Sequence, residues 1–182
     1  MILSTTDFHT RDEIFALPED RKRYEVVWGE LLVTSEVSFA HQRVLLRLAS
    51  ALGVYCERCR PGELFLGPGD ISWSPDTLVK PDLFVVPYDE ARASDDWSSV
   101  RTLRLVAEVM SEETARADRF PKRRLYQTQR VETLWLVDIE RALVEVWTPD
   151  ARFPVVESRE ISWRPAGAAE LLLISVPGLF AP

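Results

Sequence analysis

Two carboxylates and a basic segment are the residues of this sequence whose types and spacing point to shared chemistry. Asp82 opens the apolar run of VKPDLFVV (79–86), and Glu108 interrupts the apolar run of RLVAEVMS (104–111). RADRFPKRRLYQTQR (116–130) follows at once. An ionised carboxylate inside a buried strand is costly unless it is paired or bound to a metal. If strands 78–87 and 103–110 pair, Asp82 and Glu108 meet. One must then hold a proton, unless a cation sits between them. A hard divalent ion such as Mg²⁺ suits that place, because it accepts one or two carboxylates together with waters and substrate phosphates. The backbone carbonyl of Val109 is a further oxygen at the same spot. Singly, each acid has a plainer account: a strand-initial Asp caps a turn, and a strand Glu pairs with an Arg. Any of Lys122, Arg123 and Arg124 can supply the positive charge, and spacing alone does not choose among them.

These groups need elements to position them. STTDFHTRDEIFALPED reads as a short N-terminal helix over 6–17, capped by Thr6 or Asp7 and closed by Pro18, with His9 facing solvent in its first turn. RYEVVWGELLVTS (23–35) reads as a hairpin turning at Trp28-Gly29, where Gly29 supplies positive φ. Val44, Leu45, Leu48, Ala51, Leu52 and Tyr55 recur at helical spacing, which predicts a helix over 38–58. Strands are expected at 63–67, 69–74, 78–87 and 103–110, with a polar loop (YDEARASDDWSS) between the last two. A helix over 117–129 is expected next, with Asp118 as its cap and Pro121 in its first turn. VETLWLVD and RALVEVWTP form a hairpin, and the β pattern continues to the C-terminus. The order implies an α/β (α+β-like) domain, a mixed β-sheet flanked by helices, with 1–182 as a single unit and a core at about 20–180.

Composition bounds the partners. The chain has 182 residues, 46% of them hydrophobic and 28% charged, which suits one ordinary core. The net charge of −7 argues against indiscriminate nucleic-acid binding, since phosphate contacts need Lys and Arg. The basic residues are concentrated, however. Residues 116–130 hold Arg116, Arg119, Lys122, Arg123, Arg124 and Arg130 against Asp118 alone. On charge alone a solvated helix face accounts for them. No signal peptide or membrane-spanning run is visible, so a cytoplasmic protein is expected. Cys56 and Cys59 form a single C-x-x-C. Structural zinc wants four ligands, so a structural zinc protein is a weak rival to a pair of reduced thiols. The tryptophans are scattered, and no aromatic-rich basic groove for single strands is readable.

GELL, AHQRV, VKPDLFVV, LVAEVMS, KRRLY and VETLWLVD, in that order, resemble the bacterial restriction endonuclease family of the Uma-two type, within the PD-(D/E)XK nuclease superfamily. The resemblance spans roughly residues 20–180. It implies a restriction-endonuclease-like core with a metal, Mg or Mn, held by Asp82 and Glu108. The superfamily commonly places its lysine two residues after the Glu, where this chain has Met110. In the Uma-two type the lysine lies on the following helix, and KRRLY matches that segment at Lys122. Glu30 and His41 also match recurrent family positions. The resemblance suggests Glu30 as an accessory metal ligand or water-orienting group, and His41 as its partner or a phosphate contact; a satisfied histidine at a helix start explains His41 equally. Three departures stand out. Trp28-Gly29-Glu30 replaces Asp-Gly-Glu, Ser111-Glu112 replaces Ser-Pro, and Arg130-Val131 replaces a helix-ending Gly. The second sets Glu112 and Glu113 beside the site.

The expected function is a metal-dependent endonuclease acting on nucleic acid, DNA before RNA. Asp82 and Glu108 would hold the ion, and Lys122 would position or deprotonate the attacking water. Arg119, Arg123 and Tyr126 are candidates to touch the flanking backbone, although Tyr126 is equally a core residue. A single site of this kind cuts one strand, so double-strand cleavage favours a homodimer. The alternative is a catalytically inactive binding or interaction protein on the same fold.

Overall fold

The computed structural model describes residues 7–17, 22–34, 38–93 and 96–181. Chain order gives α1 (Arg11–Phe15), β1 (Arg23–Val27), β2 (Glu30–Thr34), α2 (Phe39–Cys59), β3 (Glu63–Leu66), β4 (Thr77–Leu78) and β5 (Leu83–Val86). There follow α3 (Tyr88–Ala93), β6 (Leu105–Met110), α4 (Ala115–Ala117), a π turn (Asp118–Lys122) and α5 (Arg123–Thr128). The chain then forms β7 (Leu134–Asp138), β8 (Leu143–Trp147), β9 (Val155–Glu157), β10 (Glu160–Trp163), β11 (Leu172–Ser175) and α6 (Val176–Phe180).

The centre is a six-stranded mixed sheet in the order β3-β5-β6-β7-β8-β9. Only β6 and β7 run parallel. Parallel neighbours need a crossover, and here the α4–α5 rod makes it. The strand carrying Glu108 therefore leads straight into a helix that returns across one sheet face. Side chains of a strand alternate between faces, and the two cores follow that alternation. Leu83, Val85, Leu105, Ala107 and Val109 pack under α2 with Val44, Leu48 and Leu52. Phe84, Val86, Val106 and Met110 pack on the opposite face with Leu125 and Tyr126 of α5. A second sheet, β2-β1-β4, adjoins this face, and β10-β11 form a two-stranded ribbon. Among the described residues no helix is long and apolar enough to cross a membrane.

The mixed sheet, α2 and the hairpins agree with the sequence expectations; several other elements differ. The N-terminal helix starts at Arg11, because Thr10 and Glu13 close a capping box; Asp7 is not the cap. Thr6 and Pro18 lie outside the described residues. Residues 69–74 form no strand, and Ile71 only bridges Val79. The expected strand 78–87 is two strands in two sheets, with Lys80-Pro81-Asp82 as the corner. A proline at a corner forfeits no ladder bond. The corner is braced from outside: Gly67 donates its N–H to the Asp82 carbonyl, and a side chain at Gly67 would collide with the Pro81 carbonyl. The polar loop after Pro87 contains α3, and the C-terminal segment ends as α6 rather than as strand.

Asp118 caps nothing. The rod begins three residues earlier, and Asp118 lies inside it, buried. Pro121 breaks the α-helical ladder, and the rod widens around it into the π turn, where Arg123 N–H reaches back to the Asp118 carbonyl.

Candidate active site

β5 and β6 pair with Leu83 opposite Ala107. Continued one step, that register sets Asp82 against Glu108, and both side chains fall on the face covered by the rod. Both are buried. Asp82 Oδ2 accepts the backbone N–H of Val109 at 2.8 Å. A strand residue sends its N–H and C=O to the same edge, so the Val109 carbonyl also faces the Asp82 side.

The rod lowers Lys122 onto Glu108. Lys122 Nζ lies 2.8 Å from Glu108 Oε1, 3.1 Å from Asp118 Oδ1 and 3.2 Å from Glu25 Oε1. Its side chain is only 3% exposed. Burial alone would pull the ammonium pKa down, but Glu108, Glu25 and Asp118 outweigh burial and hold it above the ordinary lysine value. In the metal-free cluster Lys122 is therefore held as a cation. Of the three consecutive basic residues it alone is buried in the cluster.

Arg23 of β1 spans the two acids from the other side, with Nη1 2.7 Å from Asp82 Oδ1 and Nη2 3.7 Å from Glu108 Oε2. Glu25, two residues on and on the same face, accepts the Lys80 N–H at 2.7 Å and so ties β1 to the Pro81 corner. Burial is the chief reason that the Glu108 pKa rises to about 8; Lys122 opposes the rise, while Asp82 and Asp118 add to it. Asp118 rises for the same leading reason. Tyr126 donates its hydroxyl to Glu108 Oε1 at 2.5 Å, and its own pKa stands well above the usual tyrosine value, again through burial.

His41, in the first turn of α2, has Nε2 3.6 Å from Asp82 Oδ2. It faces the aspartate rather than Glu30. Glu30 itself is not brought into the cluster. It is exposed at the hairpin end of β2 and lines a neighbouring cavity with Trp28 and Arg124. Glu25 is the acid of this hairpin that reaches Lys122. Arg119 is turned inward, 2.5 Å from Asp138 Oδ2 and 2.7 Å from Glu145 Oε1, so it is not free to touch a substrate backbone. Arg123 stacks over Trp147, its guanidinium carbon 4.5 Å from the ring centroid, and bonds to Gln127. Tyr126 is both core residue and partner of Glu108. Cys56 and Cys59 are free thiols, and burial pushes Cys56 up to about 11.

Four buried carboxylates (Glu25, Asp82, Glu108 and Asp118) thus face Arg23 and Lys122. Fully ionised, the cluster lacks two positive charges. Arg23 Nε, buried, has no hydrogen-bond partner among the described residues. All the donors on the acids are hard oxygens, so the set fits Mg²⁺ or Mn²⁺ in charge and type. Among the described residues no group of three His, Cys, Asp or Glu side chains closes around a metal by itself. The acids and Lys122 line a cavity of about 540 Å³ whose wall includes Glu112, Glu113 and Glu140.

No curated protein matches the chain. Among solved structures it is similar to the crystal structure of a putative nuclease belonging to DUF820 from Anabaena variabilis, with 20% identity, 94% of this chain and 97% of that chain covered, and a TM-score of 0.77. At that identity the likeness is one of fold. The family model Uma2, described as "Putative restriction endonuclease", matches residues 11–173, a span that holds every residue of the cluster. The chain belongs to the Uma2 family of putative restriction endonucleases.

Proposed function

We propose that the protein is a metal-dependent endonuclease that hydrolyses phosphodiester bonds of nucleic acid, DNA before RNA. The observation that carries this reading is the convergence of Asp82 and Glu108 beneath Lys122 in an open cavity, with buried negative charge in excess. Asp82, Glu108 and the Val109 carbonyl would hold Mg²⁺ or Mn²⁺. When bound, the ion supplies Lewis acidity and charge neutralisation at the phosphoryl group. Val109 N–H orients the Asp82 carboxylate, and Tyr126 orients Glu108. Lys122, fixed as a cation, positions the attacking water and offsets charge that builds on the phosphoryl oxygens. Arg23 balances the acids, and with a cation held there its guanidinium would be free to meet a phosphate oxygen. His41 steadies Asp82 or meets a phosphate.

The test is cleavage of plasmid, single-stranded DNA and RNA with Mg²⁺, Mn²⁺ or EDTA. Cutting that needs the metal and disappears in Asp82→Ala and Lys122→Ala supports the hydrolase. Glu112, Glu113 and Glu140 at the cavity wall favour the other reading, a binding protein without turnover. That reading stands if no substrate is cut with either metal.

A further inference from the structure

Beside the carboxylate cavity lies a second one of about 720 Å³, between the β1–β2 hairpin and the rod. The two share Leu32, Thr34, Glu113 and Ala117 in their walls, so they adjoin. The rod presents Arg116, Phe120 and Arg124 to this groove, at i, i+4 and i+8. Every other basic residue of the segment is engaged: Arg119 with Asp138 and Glu145, Lys122 in the cluster, Arg123 on Trp147, Arg130 with Asp150. Arg116 and Arg124 have no side-chain partner among the described residues. Phe120 between them is 55% exposed, an apolar ring held out between two cations.

Trp28 faces them from the hairpin turn and is itself 43% exposed. Its φ is 50°, with Gly29 at 80°. A two-residue turn with both φ values positive favours Asn, Asp or Gly, and a bulky ring in that region is uncommon and strained. The bend itself does not call for a tryptophan. The ring is neither buried nor needed for the bend, and its position at the groove is what distinguishes it.

We propose that this groove is a subsite for one unpaired base of a nucleic-acid strand that enters the carboxylate cavity, stacked against Trp28 and Phe120, with Arg116 and Arg124 on the adjoining phosphates. The proposal deepens the endonuclease reading and rests on it for the direction of the strand. Rings flanked by arginines are the chemistry that holds single strands without regard to sequence. Glu30 on the groove wall repels phosphate, which leaves the groove to the base and the rod's arginines to the backbone. A paired base has both its faces stacked within the duplex and must first be unstacked, at a cost in free energy, to enter. The groove therefore favours a single strand, whose bases are already unpaired.

Fluorescence anisotropy in EDTA, where nothing is cut, tests this with labelled single-stranded DNA, single-stranded RNA and duplex DNA of one sequence. Trp28→Asn removes the ring and installs a residue suited to the turn, so its melting temperature should equal or exceed that of the wild type. Its single-strand affinity should fall ~5- to 100-fold, the worth of one stacked base, with duplex affinity little changed. Arg116→Gln combined with Arg124→Gln should reduce the salt slope of single-strand binding by ~0.7 for each arginine. The DNA and RNA arms show which sugar the groove accepts. Unchanged single-strand affinity in Trp28→Asn, or no binding of either single strand by the wild type, overturns the proposal. The two readings fail separately. A protein that binds single strands through Trp28 yet never cuts loses the hydrolase and keeps the groove; one that cuts and is indifferent to Trp28 does the reverse.

Discussion

Lys122 Nζ sits 2.8 Å from Glu108 Oε1, although the two residues belong to a helix and to the strand that precedes it. The crossover between parallel strands brings them together, and three carboxylates share the one ammonium. Removing one partner from a buried ionic cluster costs ~3–5 kcal/mol, because the charges left behind have neither water nor a mate. Lys122→Met should therefore lower metal-free stability in urea denaturation by about that amount. Mg²⁺ or Mn²⁺ should restore more of the loss in the variant than it adds to the wild type. A metal-indifferent Lys122→Met protein of normal stability would show that the cluster is not short of positive charge.

Arg23 lies across the two acids that are proposed to take the ion. Its guanidinium and a divalent cation compete for the same oxygens. Arg23→Met should raise Mn²⁺ affinity, on the order of tenfold for ~1.4 kcal/mol of relieved competition, while it destabilises the metal-free fold. Calorimetric titration with Mn²⁺ measures the first and a thermal melt the second. Weaker Mn²⁺ binding in the variant would mean that Arg23 helps to build the site and does not occupy it.

The pH dependence follows from Glu108. Burial raises its folded pKa to about 8, against 4.5 for an unburied Glu. In that interval the folded state holds a proton that the unfolded state has lost. The stability it confers is complete below the unfolded value and disappears as pH rises through about 8. Metal-free wild type should thus lose stability from pH 5 to 9, on the order of a few kcal/mol. Glu108→Gln should flatten the profile. Mn²⁺ affinity should climb over the same interval, since the ion displaces the proton.

Much of the fold was legible because its elements follow simple periods. Helix α2 shows its buried stripe, the β1–β2 turn shows its glycine, and β7 and β8 are filled strands around a short turn. Asp82 and Glu108 were legible as acids in apolar runs, the costliest places for a carboxylate. Lys122 was singled out by resemblance, since nothing local separates it from Arg123 and Arg124. The π turn makes that distinction, and a proline in a helix announces a distortion without saying which side chains it turns inward. The groove behind Trp28 depends on a hairpin meeting a helix some 90 residues later, beyond the reach of any local pattern. Residue 25 was missed for a related reason. RYEVV alternates polar and apolar, the pattern of a strand with one wet face. Here Tyr24 and Val26 pack toward α1 and β4, and the face that reads as wet turns into the carboxylate cluster.

Glu25 carries the last prediction. Glu30 was expected near the ion, but Glu25 is the acid that touches Lys122 and anchors the Lys80 N–H. Glu25→Gln keeps the acceptor for Lys80 and removes one negative charge from around Lys122. It should lower Mg²⁺-supported cleavage at least tenfold and weaken Mn²⁺ binding, with the fold retained. Glu30→Gln should leave metal binding unchanged, because its side chain opens on the neighbouring groove. The comparison uses the same assays for both variants. If Glu30→Gln is the one that loses metal and Glu25→Gln binds normally, the ion sits nearer the hairpin end than Asp82 and Glu108 place it.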